Sequence, residues 1–127
     1  AWKIGLSMLD LPENLLLMNE LARGKAEAYI SMLEQGADKQ DKDMARLLKE
    51  IDQACQTMNS WVEETAAHWL EKGKIACLVG GDHSTPLGLF KALAKKHGEF
   101  GILHFDAHAD LRDAYEGFEF SHASIMF

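Results

Sequence analysis

The sequence predicts an α/β protein in which two long helices precede a parallel sheet. Helical periodicity runs through the first half, and short apolar runs alternate with a helix in the second half. We expect one domain over residues 1–127, with a helical region over 10–73 and a second region over 74–127. The 127 residues are 47% hydrophobic and 26% charged, which is an ordinary composition for a folded domain.

The first helix is expected to begin near Asp10 and to run to about Gln35. A capping residue, an early proline at position 12 and a glutamate three positions after the cap together mark a helix start. Gly36 should end the helix, because glycine adopts the left-handed backbone conformation at little cost.

Apolar or small side chains then recur at steps of four and three from Met44 to Trp69. This spacing predicts a second amphipathic helix that ends near Gly73. The stripe could mediate coiled-coil pairing, but packing against a sheet or the first helix is the simpler interpretation for a stripe this short.

The second half predicts a strand, a helix and a strand. The apolar run 75–79 indicates a strand buried on both faces, which Gly80-Gly81 ends. Thr85-Pro86 then provides an N-cap and a first-turn proline for a helix over 85–97. A second strand is expected over 101–105, and this order is that of the parallel crossover unit.

Charge and composition exclude several classes of function. The net charge of −7, from 20 acidic and 13 basic residues, disfavours nucleic-acid binding, which needs clustered positive charge. No apolar stretch reaches about 18 residues and no signal-peptide pattern opens the chain, so we expect no membrane span and a cytoplasmic location. Cys55 and Cys77 are expected to be buried free thiols.

Metal-binding residue types follow both predicted strands. His83 follows the first, and Asp106, His108 and Asp110 follow the second. Because the carboxyl ends of neighbouring parallel strands meet at one edge, these side chains should converge. Their alternate spacing places 106, 108 and 110 on one side if the backbone stays extended. Imidazole with several carboxylates suits manganese, and the lack of a nearby cysteine argues against structural zinc.

Each motif also has a simpler explanation. Asp-x-His-x-Asp alone is more often a solvated loop, and Gly-Gly-Asp-His-Ser alone could be a turn and a helix cap. On consecutive parallel strands the two are much more specific. We expect His104 to be a core histidine or one that orients a ligand, and Asp82 and Ser84 to hydrogen-bond their loop. His68 and His97 are expected on the surface.

Gly80-Gly81-Asp82-His83-Ser84 followed by a strand ending Phe-Asp-Ala-His-Ala-Asp resembles the ureohydrolase family of arginases, agmatinases and formiminoglutamases. The resemblance covers 75–127 and implies a three-layer arginase-like parallel sheet, incomplete in this chain. It also implies two Mn²⁺ ions in each complete active site.

The family resemblance further implies a role for each candidate ligand. His83 and Asp110 would bind one manganese ion, and His108 the other. Asp106 would bridge both ions, which makes it catalytic as well as a ligand.

The stretch 119–124 resembles the segment in which agmatinases carry a histidine beside the substrate. His122 is therefore the implied proton shuttle or leaving-group acid, a role that suits imidazole because its pKa lies near neutrality. Arg112 stands where arginases usually have an asparagine that helps to recognise the amino acid. The local sequence thus favours agmatinase over arginase.

The expected function is manganese-dependent hydrolysis of a guanidino compound to urea and an amine, and agmatine is the favoured substrate. The protein is expected to be a homo-oligomer. Arginase, guanidinobutyrase and formiminoglutamase activities remain alternatives. The family's further Ser-x-Asp-x-Asp motif is absent from these residues, so we expect the 127-residue chain to belong to a longer protein. Alone, it should bind at most one ion weakly and be inactive.

Two rival classes remain at this point. If the gene ended at residue 127, a non-catalytic metal-binding scaffold would be the better interpretation. A helical interaction module built on the 44–69 stripe is the third possibility.

Overall fold

The computed structural model describes residues 5–38 and 41–127. Helix α1 spans Glu13–Glu34, α2 spans Lys42–Glu71 and α3 spans Leu87–His97. The three predicted helices are therefore confirmed, with ends that differ by a few residues. Within the described ranges, none of the helices combines the length and apolarity that crossing a bilayer requires.

The predicted stripe of α2 packs against the other two helices. Near its start, Met44 and Ile51 form a buried cluster with Tyr29 of α1. Near its end, Ala66 and Leu70 pack with Ala92 of α3. The expectation that the stripe packs against the first helix is confirmed. Helices α1 and α3 cover the stripe.

Helices α2 and α3 approach so closely that one position on α3 has no room for a side chain. A Cβ on Gly88 would overlap the backbone carbonyl of Asn59 and the side chain of Val62. At the other end of the contact, Lys96 Nζ donates a hydrogen bond to the carbonyl of Leu70, in the last turn of α2. The same carbonyl accepts the backbone amide of Gly73 at 3.0 Å, so the lysine adds a side-chain donor to the end of α2.

Two expected helix caps are wrong. Pro12 occupies the N-cap position of α1 without a side-chain hydrogen bond, so Asp10 does not cap it. Pro86 occupies that position in α3, and Thr85 Oγ1 instead donates to the carbonyl of Asp82 at 3.1 Å. The stop at Gly36 is confirmed, because its φ of 83° lies in the left-handed region.

The expected parallel sheet does not form in the described part of the chain. Residues 75–79 and 101–105 form no strand. Within the described residues, β-pairing is limited to the isolated bridge between Tyr115 and Phe118. Side chains expected in the interior are open to solvent, with Ile75 90% and Phe105 88% exposed. A strand buried on both faces needs further strands and covering layers, and the described residues supply neither at these positions.

The two cysteines also differ from expectation. Both are free thiols, but Cys77 is exposed because it lies in the unpaired 75–79 segment. Cys55 is half-buried on α2, where burial raises its thiol pKa and the charges of Asp52 and Asp82 raise it further. The expectation of two buried thiols is therefore wrong for Cys77.

The last segment of the chain folds back on itself. The amide of Arg112 donates to the carbonyl of Ala123 at 3.0 Å, and the amide of Met126 donates to the carbonyl of Asp110 at 3.0 Å. The segment 121–127 is thereby tied to the residues that follow 101–105.

Candidate metal centre

Four side chains from two loops meet at one place. His83 precedes α3, whereas His104, Asp106 and Asp110 come from the later segment, and one ligand atom from each lies within 4.8 Å of all the others. Nδ1 of His83 lies 2.6 Å from Oδ2 of Asp110 and 3.7 Å from Oδ2 of Asp106. We call these four residues the His/Asp cluster. The convergence of two loops expected from the sequence therefore occurs, although the sheet that suggested it does not form.

The loop that carries His83 is held by its own polar side chains. Oδ1 of Asp82 accepts hydrogen bonds from the Ser84 amide at 2.9 Å and the Ser84 hydroxyl at 2.5 Å, as expected for these two residues. Gly80 lies against Thr85 so closely that an added Cβ would overlap its side chain. Helix α3 begins at Leu87, directly after this loop.

The segment that carries Asp106 and Asp110 is bent. The amide of His108 donates to Oδ1 of Asp106 at 2.9 Å, which closes a tight turn. Asp110 has a φ of 53°, a left-handed conformation that aspartate tolerates better than most residues, and it is 8% exposed. The two carboxylates converge because of this bend.

His108 lies outside the His/Asp cluster. Its side chain is 82% exposed, with Nδ1 3.5 Å from Oδ1 of Asp106. The expectation that residues 106, 108 and 110 share one side is wrong for His108, because it required an extended backbone. The family resemblance makes His108 a ligand to a second ion. Of the cluster residues, Asp106 is the one that lies beside it.

His104 lies closer to the cluster than the sequence interpretation placed it. Its Nε2 is buried without a hydrogen-bond partner, 3.8 Å from Oδ2 of Asp110 and 4.0 Å from Oδ2 of Asp106. Its ring centroid is 4.8 Å from that of His83. The two-residue spacing between His104 and Asp106 is the signal that could have placed both on one face.

The electrostatics of the cluster favour a cation. The amide of His108 donates to Asp106 and lowers the pKa of its carboxyl, and the neighbouring imidazoles of His104 and His83 lower it further. Two carboxylates and a buried imidazole nitrogen that has no hydrogen-bond partner face the same space. Oxygen and imidazole donors suit a divalent ion such as Mn²⁺, so the residues present fit the expected metal.

His122 is positioned apart from the cluster. It is exposed, and its ring lies 5.5 Å from the ring of Tyr115. The hydrogen bond from Met126 to Asp110 ties the end of its segment to the cluster, so the two features share one stretch of backbone.

A His/Asp cluster on two loops beside packed helices defines a candidate metal-binding protein. A family model described as "Arginase family" matches residues 18–127, which is most of the chain. The chain therefore belongs to the arginase family.

Several curated relatives match about half of this chain. It is 43% identical to the agmatinase of Bacillus anthracis over 63 residues, covering 50% of this chain and 22% of the relative. It is 44% identical to the N(1)-aminopropylagmatine ureohydrolase of Thermus thermophilus over 66 residues, covering 52% of this chain and 22% of the relative.

A third relative is the guanidinobutyrase of Pseudomonas aeruginosa, 36% identical over 65 residues, covering 51% of this chain and 20% of that protein. The matched stretches thus span about a fifth of the length of each of these relatives. No solved structure matches the chain.

Proposed function

We propose that the whole protein hydrolyses a guanidino compound to urea and an amine, with manganese as its cofactor and agmatine as the favoured substrate. The observation that carries the proposal is the convergence of His83, Asp106 and Asp110 in an arginase-family chain. The proposal includes a single arginase-type domain to which residues 1–127 belong.

The metal ligands would be shared between two ions. His83 and Asp110 would hold one ion, His108 the other, and Asp106 would contact both. When bound, such ions act as Lewis acids and lower the pKa of water, which supplies a nucleophile at neutral pH. The hydrogen bond from the His108 amide lowers the pKa of the Asp106 carboxyl, which favours the ionised form that a shared ligand needs.

His122 would handle the proton of the leaving amine. Its ring is exposed, so it can reach a substrate and exchange protons with water. An imidazole is suited to this step because its ordinary pKa is close to neutral pH.

The exposed charge of the segment that carries His122 supports a cationic substrate. Asp113, Glu116 and Glu119 are exposed there against one exposed cation, Arg112, so the segment is net acidic, and agmatine carries positive charge at both ends. Acidic groups around a site raise the local concentration of a cation. The names of two relatives, agmatinase and N(1)-aminopropylagmatine ureohydrolase, point to the same substrate class.

We further propose that the protein is cytoplasmic and forms homo-oligomers. Two free cysteines suit a reducing compartment. The exposed apolar side chains of 75–79 and 101–105 need to be covered, which further parts of the protein or a second copy of it would do.

Urea release from agmatine by the purified whole protein tests the function. We expect activity with Mn²⁺, none after metal removal with excess chelator, and recovery when Mn²⁺ is added back. Arginine and 4-guanidinobutyrate should be poorer substrates by kcat/KM. Full activity in the metal-stripped protein would overturn the metal assignment, and preference for another guanidino compound would overturn the choice of agmatine.

A further inference from the structure

The helices α1 and α2 contact the segment that carries His122 through one buried tyrosine. Tyr29 of α1 is 1% exposed, and its hydroxyl donates a hydrogen bond to the carbonyl of Glu116 at 3.1 Å. The two residues are 87 positions apart in sequence, so this bond is a tertiary contact.

The carbonyl that Tyr29 binds belongs to a tight turn over residues 115–118. Tyr115 and Phe118 exchange backbone hydrogen bonds of 3.1 and 2.9 Å. Between them, Glu116 and Gly117 both have positive φ angles, of 56° and 108°, as a two-residue type I′ turn requires. Because these two hydrogen bonds hold the turn together, the bond from Tyr29 to the Glu116 carbonyl ties the turn as a unit to α1.

Packing reinforces the hydrogen bond. The ring of Phe118 meets the ring of Tyr29 edge-on at 5.1 Å and packs against the core cluster of Tyr29, Met44 and Ile51. A Cβ on Gly117 would come within 2.7 Å of the Tyr29 hydroxyl, so the turn lies against this oxygen with no room to spare.

The same turn leads to His122. Tyr115, at the start of the turn, lies 5.5 Å from the His122 ring, centroid to centroid. The hydrogen bond between Arg112 and Ala123 closes the segment on its other side. A displacement of the turn therefore moves the aromatic ring beside which His122 lies.

We infer that Tyr29 is a positioning residue for His122, and that this is a function of the helical region. Its hydroxyl holds the 115–118 turn, and the turn sets where the imidazole lies. The expected effect on kcat rests on the proposed function. The contact between Tyr29 and the 115–118 turn does not depend on that function.

The test is Tyr29→Phe in the whole protein, which removes the hydroxyl and keeps the ring. We expect kcat for urea release to fall roughly fivefold, with KM and manganese content nearly unchanged, because a neutral hydrogen bond contributes modestly and His122 acts in the chemical step. In a His122→Ala background, Tyr29→Phe should lower kcat no further. Gly117→Ala should lower kcat as Tyr29→Phe does, because it forces the turn away from the hydroxyl.

Ile51→Val is the matched control. It trims the same core cluster and leaves the Tyr29 hydroxyl in place, so a loss of stability alone would lower kcat equally in both variants. The inference is wrong if Tyr29→Phe leaves kcat unchanged, if Ile51→Val lowers it as much, or if the losses from Tyr29→Phe and His122→Ala multiply.

Amide hydrogen exchange separates this inference from the proposed function. The amides of Tyr115 and Phe118 should exchange faster in Tyr29→Phe than in the wild type or in Ile51→Val. If the wild type released no urea, the proposed function would fail, and the exchange rates would decide the inference: faster exchange confined to the turn supports it, and unchanged exchange overturns it.

Discussion

Nδ1 of His83 lies 2.6 Å from Oδ2 of Asp110, although the two residues are 27 positions apart. Their contact joins the loop before α3 to the segment that follows residues 101–105. A metal ion would have to replace this hydrogen bond, so binding should depend on both partners and compete with protons.

The 127-residue chain should bind at most one Mn²⁺, at the His/Asp cluster. His83→Ala should weaken that binding at least roughly tenfold, because it removes a donor from the cluster. His108→Ala should change it by less than about twofold, since the His108 side chain is 82% exposed and lies outside the cluster. Titration with Mn²⁺ followed by calorimetry measures both. Two tightly bound ions per chain, or an equal loss in the two variants, would contradict this assignment.

His122→Ala should separate chemistry from metal binding in the whole protein. We expect turnover to fall about 100-fold or more, which is the usual contribution of a general acid, with manganese content near normal. His97→Ala is the control, because His97 is exposed at the end of α3. Parallel loss of metal and activity, measured by metal analysis and urea release, would show that His122 is structural or a ligand.

Asp52→Asn should stabilise the protein near neutral pH. Burial raises the pKa of Asp52, the charge of Glu119 raises it further, and its Oδ1 is buried without a partner. The folded-state pKa therefore lies above the ordinary value of 3.8. Stability is favoured while the carboxyl is protonated and is lost as pH rises through the folded-state pKa.

The gain from Asp52→Asn should be below about 1 kcal/mol, because the side chain is only partly buried. It should shrink as the pH approaches 3.8, where the carboxyl is protonated in both states. Glu50→Gln is the matched control on α2, since Lys25 lowers the pKa of Glu50 through a hydrogen bond and their charges attract. Thermal unfolding at several pH values measures both, and an equal gain in Glu50→Gln would refute the assignment.

Two helical glycines should respond to alanine in opposite ways. Gly88→Ala should destabilise the fold by about 1–3 kcal/mol, because the new methyl group overlaps the backbone of α2. Gly24→Ala on α1 meets no other atom within 4 Å and should stabilise the fold by about 0.5–1 kcal/mol. Urea denaturation measures both changes. A stabilising Gly88→Ala would mean that α2 and α3 pack less closely than the structure shows.

The helices could be predicted because their signals are local. The stripe from Met44 to Trp69 repeats with the helical period, and Gly36 ends α1 through its own backbone preference. The N-cap of α2 is Asp41, whose Oδ1 accepts from the amides of Asp43 and Met44, and this cap was not anticipated. The predicted strands failed because pairing depends on neighbours that a local apolar run does not reveal.

The cluster was predicted in part. His83, Asp106 and Asp110 converge, because the chain after α3 returns to the loop that precedes this helix, and it does so without forming a sheet. His108 lies outside the cluster and His104 lies in it. The bend after residue 105 and the positive φ of Asp110 change which side chains share a face. The spacing of His104 and Asp106 is a signal for His104, but nothing in composition or spacing indicates the bend or the left-handed backbone.

The left-handed backbone at Asp110 also restricts which amino acids this position can accept. Glycine, asparagine and aspartate adopt such a conformation readily, whereas a β-branched residue would strain the chain. Of these three, aspartate alone carries a negative charge. Asp110→Asn keeps the shape of the side chain and tolerates the left-handed backbone. It therefore gives a reference protein in which the His/Asp cluster loses one negative charge while the loop conformation is retained. Asp110→Val would disturb both at once and could not separate them.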